Sequence, residues 1–456
     1  MISGGEMKNE VVPPLKWDFS NMSAEQLGTS DGIDEATRSH ALQLLEETRK
    51  DFEEDRNKKS LPFLDLPYQS TEKIKALAAS IRGRFDNFVL LGIGGSALGP
   101  IALHQALHSP CNNMLSQDQR KGPRMFFIDN VDPSEVAPLL KLLDPVRTAV
   151  NVITKSGETL ETMALFLLFK EWITNHVGSR AGKNHFIATT DPGKGTLREI
   201  AQKEGYATLD IPEAIGGRYS VLTSVGLFPA AVSGIDIDAL LKGAADLDKT
   251  FQNLPAAENG AIWGAYLHYW SYTRRNKNVL VTMPYASGLT GMAQWFGQLW
   301  AESLGKERDL SGRKISCGQT PVVAVGATDQ HSQLQLYMEG PMDKTIQFIS
   351  VETLKEDLSL PSIESAGEIT SLDGHSLGGL LQIEQRAIET ALTEAGRPNC
   401  RITLPSLNAH AIGALFYFFE VQTAYAGRFY QVNPFDQPGV ETGKKIIKKL
   451  LQEKCL

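Results

Sequence analysis

Short, nearly continuous apolar segments alternate with stretches of helical length along most of this 456-residue chain. In the first half such segments occupy residues 88–92, 125–129, 150–154, 186–190 and 208–211, each bounded by turn residues. A strand that is buried on both faces loses the apolar–polar alternation of a half-exposed strand, and strands that are connected through helices run parallel. The pattern therefore predicts a parallel sheet that is covered by helices on both faces.

A second set of the same kind begins after residue 234. Helical segments precede and separate further predicted strands, which lie at 279–284, 321–325, 345–350 and 401–404. We therefore predict an α/β protein with two doubly wound parallel-sheet domains, at residues 71–234 and 235–437. Residues 1–70 are predicted to form a helical appendage that packs on the second domain, and residues 438–456 to form a C-terminal helix.

The charge balance argues against nucleic acid as a partner. The chain has 45 Lys and Arg against 53 Asp and Glu, a formal net charge of −8, whereas nucleic-acid binding needs clustered positive charge. Hydrophobic residues make up 42% of the chain, which excludes a largely disordered protein. The four cysteines form no CxxC pair, so we predict neither a metal site nor a disulfide framework.

Two segments were considered for targeting or membrane insertion. Residues 1–20 are interrupted by charges and prolines and predict no secretory signal. Residues 279–301 carry no charge and are long enough to span a bilayer, but they contain Pro284, Gly288 and Gln298. A buried strand, loop and helix fit this composition better, and we predict a soluble, cytoplasmic protein with no membrane partner.

The first predicted strand ends in a glycine-rich turn, Gly92-Ile-Gly94-Gly95-Ser96, that leads into a helix. Glycines let backbone amides approach an anion, and a helix N-terminus favours negative charge. The spacing Gly92-x-Gly94-x-x-Ala97 also fits a dinucleotide fingerprint, but Asp129 follows 129 − 97 = 32 positions later, where about 20 is usual. A tight turn without a ligand is the third alternative, and we favour a phosphate site.

The third predicted strand ends in a second group of hydroxyls around a lysine, Thr154-Lys155-Ser156, followed by Thr159. Open parallel sheets bind ligands at the carboxyl ends of strands, where the strand order reverses. The two loops could therefore hold one phosphate together. A helix capping box is the alternative, and it would explain the hydroxyls but not Lys155.

Four residues are candidates for reaction chemistry. Arg218 follows two glycines and precedes an apolar helix, and a planar cation in a dry crevice stabilises a developing oxyanion. Glu302 lies in a mainly aromatic and apolar helix, where it could be solvated or buried; a buried carboxyl group would suit proton transfer. His331 opens a helix after a predicted strand, where it could have a structural or a functional role. Lys444 could be a solvated surface lysine, or its ammonium group could reach a ring oxygen of a bound sugar.

Taken together, these segments resemble the glucose-6-phosphate (phosphoglucose) isomerase family, in its shorter bacterial type. The strongest matches are Gly-Gly-Arg218-Tyr-Ser and Phe435-Asp-Gln437-Pro-Gly-Val-Glu441-x-x-Lys444. The glycine turn at Ser96, the Lys155 loop, Glu302-Ser-x-Gly-Lys and Asp-Gln-His331-Ser also match in the family's order. The resemblance covers residues 85–445 and leaves the N-terminal appendage without support.

The resemblance implies two sugar-isomerase (SIS) domains and a homodimer in which His331 enters the partner's active site. It implies that the substrate phosphate is held by Gly95, Ser96, Thr154, Lys155, Ser156 and Thr159. Glu302 would move a proton between C2 and C1, Arg218 would stabilise the enediolate, and Gln437 would position the sugar. His331 and Lys444 would assist ring opening.

The implied reaction is interconversion of glucose 6-phosphate and fructose 6-phosphate, in glycolysis and gluconeogenesis, with neither a cofactor nor a metal. The chain departs from the family at Glu158, because an acid beside a dianionic phosphate is repulsive; we expect Glu158 to point into solvent. Two other hypotheses stay open at this point. The phosphate loops alone would also suit a non-catalytic sugar-phosphate sensor, and the glycine spacing alone would suit a nicotinamide oxidoreductase.

Overall fold

The computed structural model describes residues 13–362 and 372–453. Within these ranges the strands are β1 Lys16–Asp18, β2 Asn87–Leu91, β3 Arg124–Ile128, β4 Thr148–Ile153, β5 Phe186–Thr190, β6 Ala207–Asp210, β7 Val279–Pro284, β8 Lys306–Arg308, β9 Lys314–Cys317, β10 Thr320–Val323, β11 Lys344–Thr353 and β12 Asn399–Ser406. The α-helices are α1 Ala24–Leu27, α2 Glu35–Asn57, α3 Glu72–Arg82, α4 Leu98–Leu107, α5 Gln117–Arg120, α6 Pro133–Leu142, α7 Leu160–Val177, α8 Ser179–Gly182, α9 Thr196–Glu204, α10 Ser224–Val232, α11 Ile237–Asn253, α12 Gly260–Arg275, α13 Thr290–Leu304, α14 Leu334–Glu339, α15 Leu377–Glu394, α16 Ala409–Phe429 and α17 Glu441–Gln452.

The first sheet has the strand order β3-β2-β4-β5-β6, and every neighbouring pair is parallel. The chain therefore adds β3 on one side of β2 and β4 on the other, so the order reverses between β2 and β4. The first and third predicted strands, β2 and β4, are therefore neighbours in the sheet. A crevice at such a reversal is the usual ligand position in an open parallel sheet.

The second sheet has the order β1-β12-β11-β7-β10. Its four later strands are mutually parallel, as predicted, and β1 is antiparallel to β12, with Trp17 opposite Ile402. The sequence predicted a helical N-terminal appendage and missed β1, because three residues are too few to show a period of two. All nine predicted strands are present, with ends that differ by at most three residues.

The two sheets share one middle layer of helices. Phe88 and Leu90 of β2 face a large core that also contains Leu280 and Ile349 of the second sheet. Val89, between them, faces a separate outer core. Because successive side chains of a strand point to opposite faces, each strand is buried on both sides. A strand that packs against a core on each face must be apolar along its length, which explains the continuous apolar segments of the sequence.

Helices α4 and α13 pack closely in the middle layer and join the two sheets. A Cβ at Gly291 of α13 would lie 3.0 Å from the Ala102 Cα atom of α4, so the glycine lets the two helices approach closely. Helix α4 follows β2 and helix α13 follows β7. Their contact therefore brings the carboxyl ends of both sheets to one place.

The N-terminal segment is tied to α11 and α16 by a buried polar cluster. Asp248 of α11 is completely buried and accepts bonds from Arg56 Nη1 at 3.0 Å and from the Tyr68 hydroxyl at 2.7 Å. The Tyr417 hydroxyl of α16 donates to the same carboxylate. This cluster, together with β1, fastens residues of the predicted appendage to the second sheet's helices.

The chain's last helix, α17, is exposed along its whole length. Residues 1–12 of the predicted appendage and 454–456 of the predicted C-terminal helix lie outside the described residues. No helix in the part of the chain that the structure describes is long and apolar enough to cross a membrane.

Candidate active site

The glycine turn after β2 lies directly against the loop that carries Arg218. A Cβ at Gly95 would be 2.3 Å from the Gly217 carbonyl carbon and 2.7 Å from the Arg218 nitrogen. Gly94 has a positive φ of 55°, a conformation that glycine adopts without strain. Two motifs that are more than 100 positions apart in the sequence are therefore in backbone contact, and this contact requires Gly95.

The loop after β4 is arranged by its own hydroxyls. The buried Thr154 shares a hydrogen bond with Thr159, with 2.9 Å between the two Oγ1 atoms. Ser156 is exposed, and its hydroxyl accepts a bond from the Glu158 backbone N–H at 3.2 Å. The loop thus presents the exposed hydroxyl of Ser156 next to the hydrogen-bonded pair of threonines, beside the reversal point of the first sheet.

Lys155 connects this loop to the Arg218 loop. Its Nζ donates to the backbone carbonyls of Glu213, at 2.5 Å, and Ile215, at 2.9 Å. Burial lowers the pKa of Lys155, while the nearby carboxylates of Asp191 and Glu213 oppose that shift. Lys155 therefore holds the backbone just ahead of Gly216, in addition to supplying positive charge near the crevice.

Arg218 is almost completely buried, with 1% of its side chain exposed. Its five donor contacts are Nε to Ser303 Oγ at 2.8 Å, Nη1 to Glu302 Oε2 at 3.2 Å and Gln437 Oε1 at 2.8 Å, and Nη2 to the carbonyls of Pro434 at 2.6 Å and Asp436 at 2.9 Å. A guanidinium group with all its donors engaged has one fixed orientation. This orientation points one edge at Glu302.

The exposure of Glu302 is intermediate between the solvated and the buried positions that the sequence left open. Its side chain is 32% exposed, so it is neither fully buried nor free in solvent. One carboxylate oxygen accepts from Arg218, and the other accepts from Gln298 Nε2 at 2.9 Å. The carboxylate is thus held from one side by two side chains while its other side remains accessible.

The segment before α17 closes the site on the opposite side. The buried Lys306 donates to Asp436 Oδ1 at 2.8 Å, to the Asp436 carbonyl, and to the Glu302 carbonyl at 3.0 Å. These contacts keep Gln437 next to Arg218. The sequence analysis missed the roles of Gln298, Ser303, Lys306 and Asp436, although Gln298 stands one helical turn before Glu302 and the i, i+4 spacing is a usable signal.

Two of the predicted site residues, His331 and Lys444, have no contact with Glu302 or Arg218 in the structure. His331 is exposed in a short 3-10 helix, Thr328–His331, just after β10. Lys444 lies on the exposed α17, where its Nζ binds Glu441 Oε1 at 2.8 Å. Lys155 is thus held against the Arg218 loop, whereas Lys444 is held by Glu441 on the exposed α17.

Glu158 points into solvent, as expected. Its side chain is 61% exposed and lies 3.4 Å from the Lys448 ammonium group of α17. This exposure and the nearby lysine reduce the repulsion expected between Glu158 and a bound phosphate.

Among residues 13–362 and 372–453, no cluster of three or more His, Cys, Asp or Glu residues is placed to hold a metal ion.

The arrangement defines a class of protein. Two open parallel sheets meet at their carboxyl ends, where hydroxyl- and glycine-rich loops adjoin a carboxylate that a buried guanidinium group holds in place. This is the architecture of an α/β enzyme, with loops at the usual ligand position of an open parallel sheet. The chain belongs to the phosphoglucose isomerase family, whose family model matches residues 71–455, and it is an isomerase.

Individual relatives agree with this assignment. The glucose-6-phosphate isomerase of Carboxydothermus hydrogenoformans is 43% identical over 448 residues, covering 96% of this chain and 94% of the relative. That of Rubrobacter xylanophilus is 47% identical over 388 residues, covering 84% and 87%.

Two solved structures share the fold. A hypothetical protein of Thermus thermophilus superposes with a TM-score of 0.85 at 37% identity, covering 96% of this chain and 99% of that one. A glucose-6-phosphate isomerase of Chlamydia trachomatis gives 0.81 at 23% identity, with 95% and 92% covered, and supports the fold alone.

Proposed function

We propose that this isomerase interconverts glucose 6-phosphate and fructose 6-phosphate by opening the sugar ring and moving a proton through a cis-enediolate. The observation that carries the proposal is the Glu302–Arg218 pair, in which a partly accessible carboxylate lies 3.2 Å from a fully bonded guanidinium group. Aldose–ketose isomerisation needs one positioned base and one cation for the oxyanion that develops. Both are present and mutually oriented.

The phosphate of the substrate is proposed to bind the two loops at the reversal point of the first sheet. Its ligands would be the hydroxyl and backbone groups of Gly95, Ser96, Thr154, Ser156 and Thr159, with Lys155 as the nearby cation. Support comes from the parallel pairing of β2 and β4, which sets the two loops side by side. A remote anchor of this kind orients the reacting carbons, because binding energy at the phosphate is used for position.

Glu302 would take the proton from C2 of the aldose and return it at C1. Arg218 would stabilise the enediolate oxygens, and Gln437, which accepts a bond from Arg218 at 2.8 Å, would position the sugar. The fixed guanidinium group needs little reorganisation as charge develops on the substrate. The accessible side of the Glu302 carboxylate, where a substrate could bind, supports these roles.

Ring opening is assigned to His331 and Lys444, with His331 contributed by the second subunit of a homodimer. The exposed position of His331, on a different loop from the Glu302–Arg218 pair, supports a role across a subunit interface. We further propose two SIS domains, 71–234 and 235–437, with 1–70 and 438–456 as appendages. The enzyme is proposed to act in the cytoplasm, in glycolysis and gluconeogenesis.

The test is a coupled assay with fructose 6-phosphate, with and without a metal chelator. We expect glucose 6-phosphate to form at the same rate in both, and turnover in heavy water to place deuterium at C2 of the aldose. Binding of the sugar phosphate without turnover would indicate a sensor instead. Loss of activity with the chelator would contradict a route that uses only side chains.

A further inference from the structure

A buried lysine beside the Glu302–Arg218 pair takes no part in the steps proposed above. Lys306 is the first residue of β8, and 6% of its side chain is exposed. An ammonium group has three donors, and those of Lys306 bond to the Glu302 carbonyl at 3.0 Å, to Asp436 Oδ1 at 2.8 Å and to the Asp436 carbonyl. Lys306 thus joins the end of α13 to the loop before α17, and it has no donor left for a substrate.

Asp436 accepts bonds from two cations. Its carbonyl accepts from Arg218 Nη2 at 2.9 Å as well as from Lys306. Its carboxylate accepts from Lys306 through Oδ1, and from Asn433 Nδ2 through Oδ2 at 3.1 Å. Both bonds of Arg218 Nη2 end on this loop, at the carbonyls of Pro434 and Asp436. The position of the Asp436 peptide group therefore helps to set the direction of the guanidinium plane.

The loop that carries Asp436 is open to solvent along much of its length. Residues 435–437 are exposed, including 53% of the Asp436 side chain. The Phe435 ring lies 5.1 Å from the Tyr219 ring, but an apolar contact is not directional. The bonds from the two cations therefore fix the direction of the Asp436 carbonyl.

We propose that Lys306 and Asp436 are positioning residues: the buried ammonium group fixes the Asp436 peptide, and the Asp436 carbonyl in turn orients Arg218 toward Glu302. The inference rests on the roles proposed above for Arg218 and Glu302. Without Lys306, the loop would keep its bonds to Arg218, and the guanidinium group would then follow the movements of an exposed loop. Small errors of position slow the reaction steeply, whereas the loops proposed to bind phosphate lie on the first sheet and would be unaffected.

The test compares Lys306→Met with the matched control Lys314→Met. Lys314 lies on the neighbouring strand β9, where it pairs with Glu307 at 3.3 Å in solvent. Lys306→Met should lower kcat for fructose 6-phosphate by about ten- to a hundredfold, with unchanged KM and unchanged affinity for inorganic phosphate. Lys314→Met should keep the wild-type kcat. A loss of phosphate affinity that matches the loss of kcat would overturn the positioning role.

The same substitution in a Glu302→Gln background separates positioning from a general loss of structure. Lys306→Met should then lower the remaining kcat by less than about twofold, because effects that act through one group are not additive. A damaged fold would instead lower the remaining kcat by the same factor as in the wild-type background, and that result would overturn the proposal.

Asp436→Ala keeps the proposal testable if Lys306→Met does not fold, because the Asp436 side chain is half exposed. Loss of the charge-assisted bond to Lys306 should lower kcat about fivefold or more, with the urea midpoint of the wild type. A wild-type kcat in Asp436→Ala would overturn the proposal.

Failure of the underlying function would look different. Wild-type enzyme that binds fructose 6-phosphate without turnover, or a wild-type kcat in Glu302→Gln, would contradict the proposed reaction and with it this inference. An impaired Glu302→Gln beside fully active Lys306→Met and Asp436→Ala would overturn the positioning role alone.

Discussion

At the scale of single residues, the site is built on orientation more than on burial. Glu302 retains an exposed side, yet both of its oxygens are held, one by Gln298 and one by Arg218. Charge-assisted bonds to a guanidinium group are directional. In the role of general base that we propose for it, the Glu302 carboxylate would therefore not first have to find its position.

Replacing the base should separate binding from chemistry. We expect Glu302→Gln to lower kcat by about 10²- to 10⁴-fold, the usual contribution of a general base, while the affinity for inorganic phosphate is retained. Steady-state kinetics and phosphate titration measure the two effects. Glu307→Gln, at the exposed end of the same segment, is the matched control. Turnover at the wild-type rate in Glu302→Gln would exclude it as the base.

At the scale of elements, a buried ion pair ties the C-terminal end of helix α2 to the body of the molecule. Arg56 reaches the fully buried Asp248 with two hydrogen bonds, whereas Lys58, two residues later, pairs with Glu54 in solvent. A buried ion pair is strongly destabilising when one partner is removed, and an exposed pair contributes little. Arg56 is therefore expected to contribute far more to the stability of the fold than Lys58.

Arg56→Ala should lower the free energy of unfolding by about 3 kcal/mol, because it leaves the Asp248 carboxylate buried with one cation fewer. Urea denaturation monitored by fluorescence and by circular dichroism measures this change. Lys58→Ala, directly after the end of the same helix, should give no measurable change. Equal effects of the two substitutions would mean that the buried cluster does not anchor the N-terminal segment.

At the scale of the whole molecule, the exposed His331 and the Glu302–Arg218 pair sit on different parts of one subunit. If each active site takes His331 from the partner, two inactive variants should complement each other. A co-refolded equimolar mixture of Glu302→Gln and His331→Ala subunits should regain about a quarter of the wild-type activity, since half of the two-fold dimers would contain one intact site. No recovery above the separate variants would place His331 in its own subunit's site.

Buried neutral histidines should make the fold acid-sensitive. Burial lowers the pKa of His268 to about 4 from 6.5, although its bond with Gln347 opposes the shift. The unfolded chain therefore binds more protons than the folded one between these values, and stability falls as the pH drops from about 6.5 towards 4.

For His268 this loss is about 3 kcal/mol at most. Urea titrations at neutral and acid pH should show a shallower decline in His268→Gln than in wild type. His40→Gln, at an exposed histidine, should leave the slope unchanged. An identical slope in His268→Gln would show that this histidine is not neutral in the folded protein.

The sequence by itself determined the two parallel sheets and most of the candidate site. Continuous apolar strands and the glycine- and hydroxyl-rich turns after them are local patterns, and they located the strands and the two loops proposed to bind phosphate. Arg218 and Glu302 were singled out by the two glycines before the arginine and by the apolar helix around the glutamate. The three-residue strand β1 was missed because it is too short for a period, and it exists only through pairing with β12.

Only the tertiary structure decided which groups meet. The contact of Gly95 with the Arg218 loop and the hydrogen bond from Lys306 to Asp436 both join segments that are far apart in the chain. Such contacts depend on how α4, α13 and α16 pack between the sheets, and packing geometry has no local signature. A spacing pattern shows which residue types are present at a sheet edge, whereas only the packed fold sets their distances and their exposure to water.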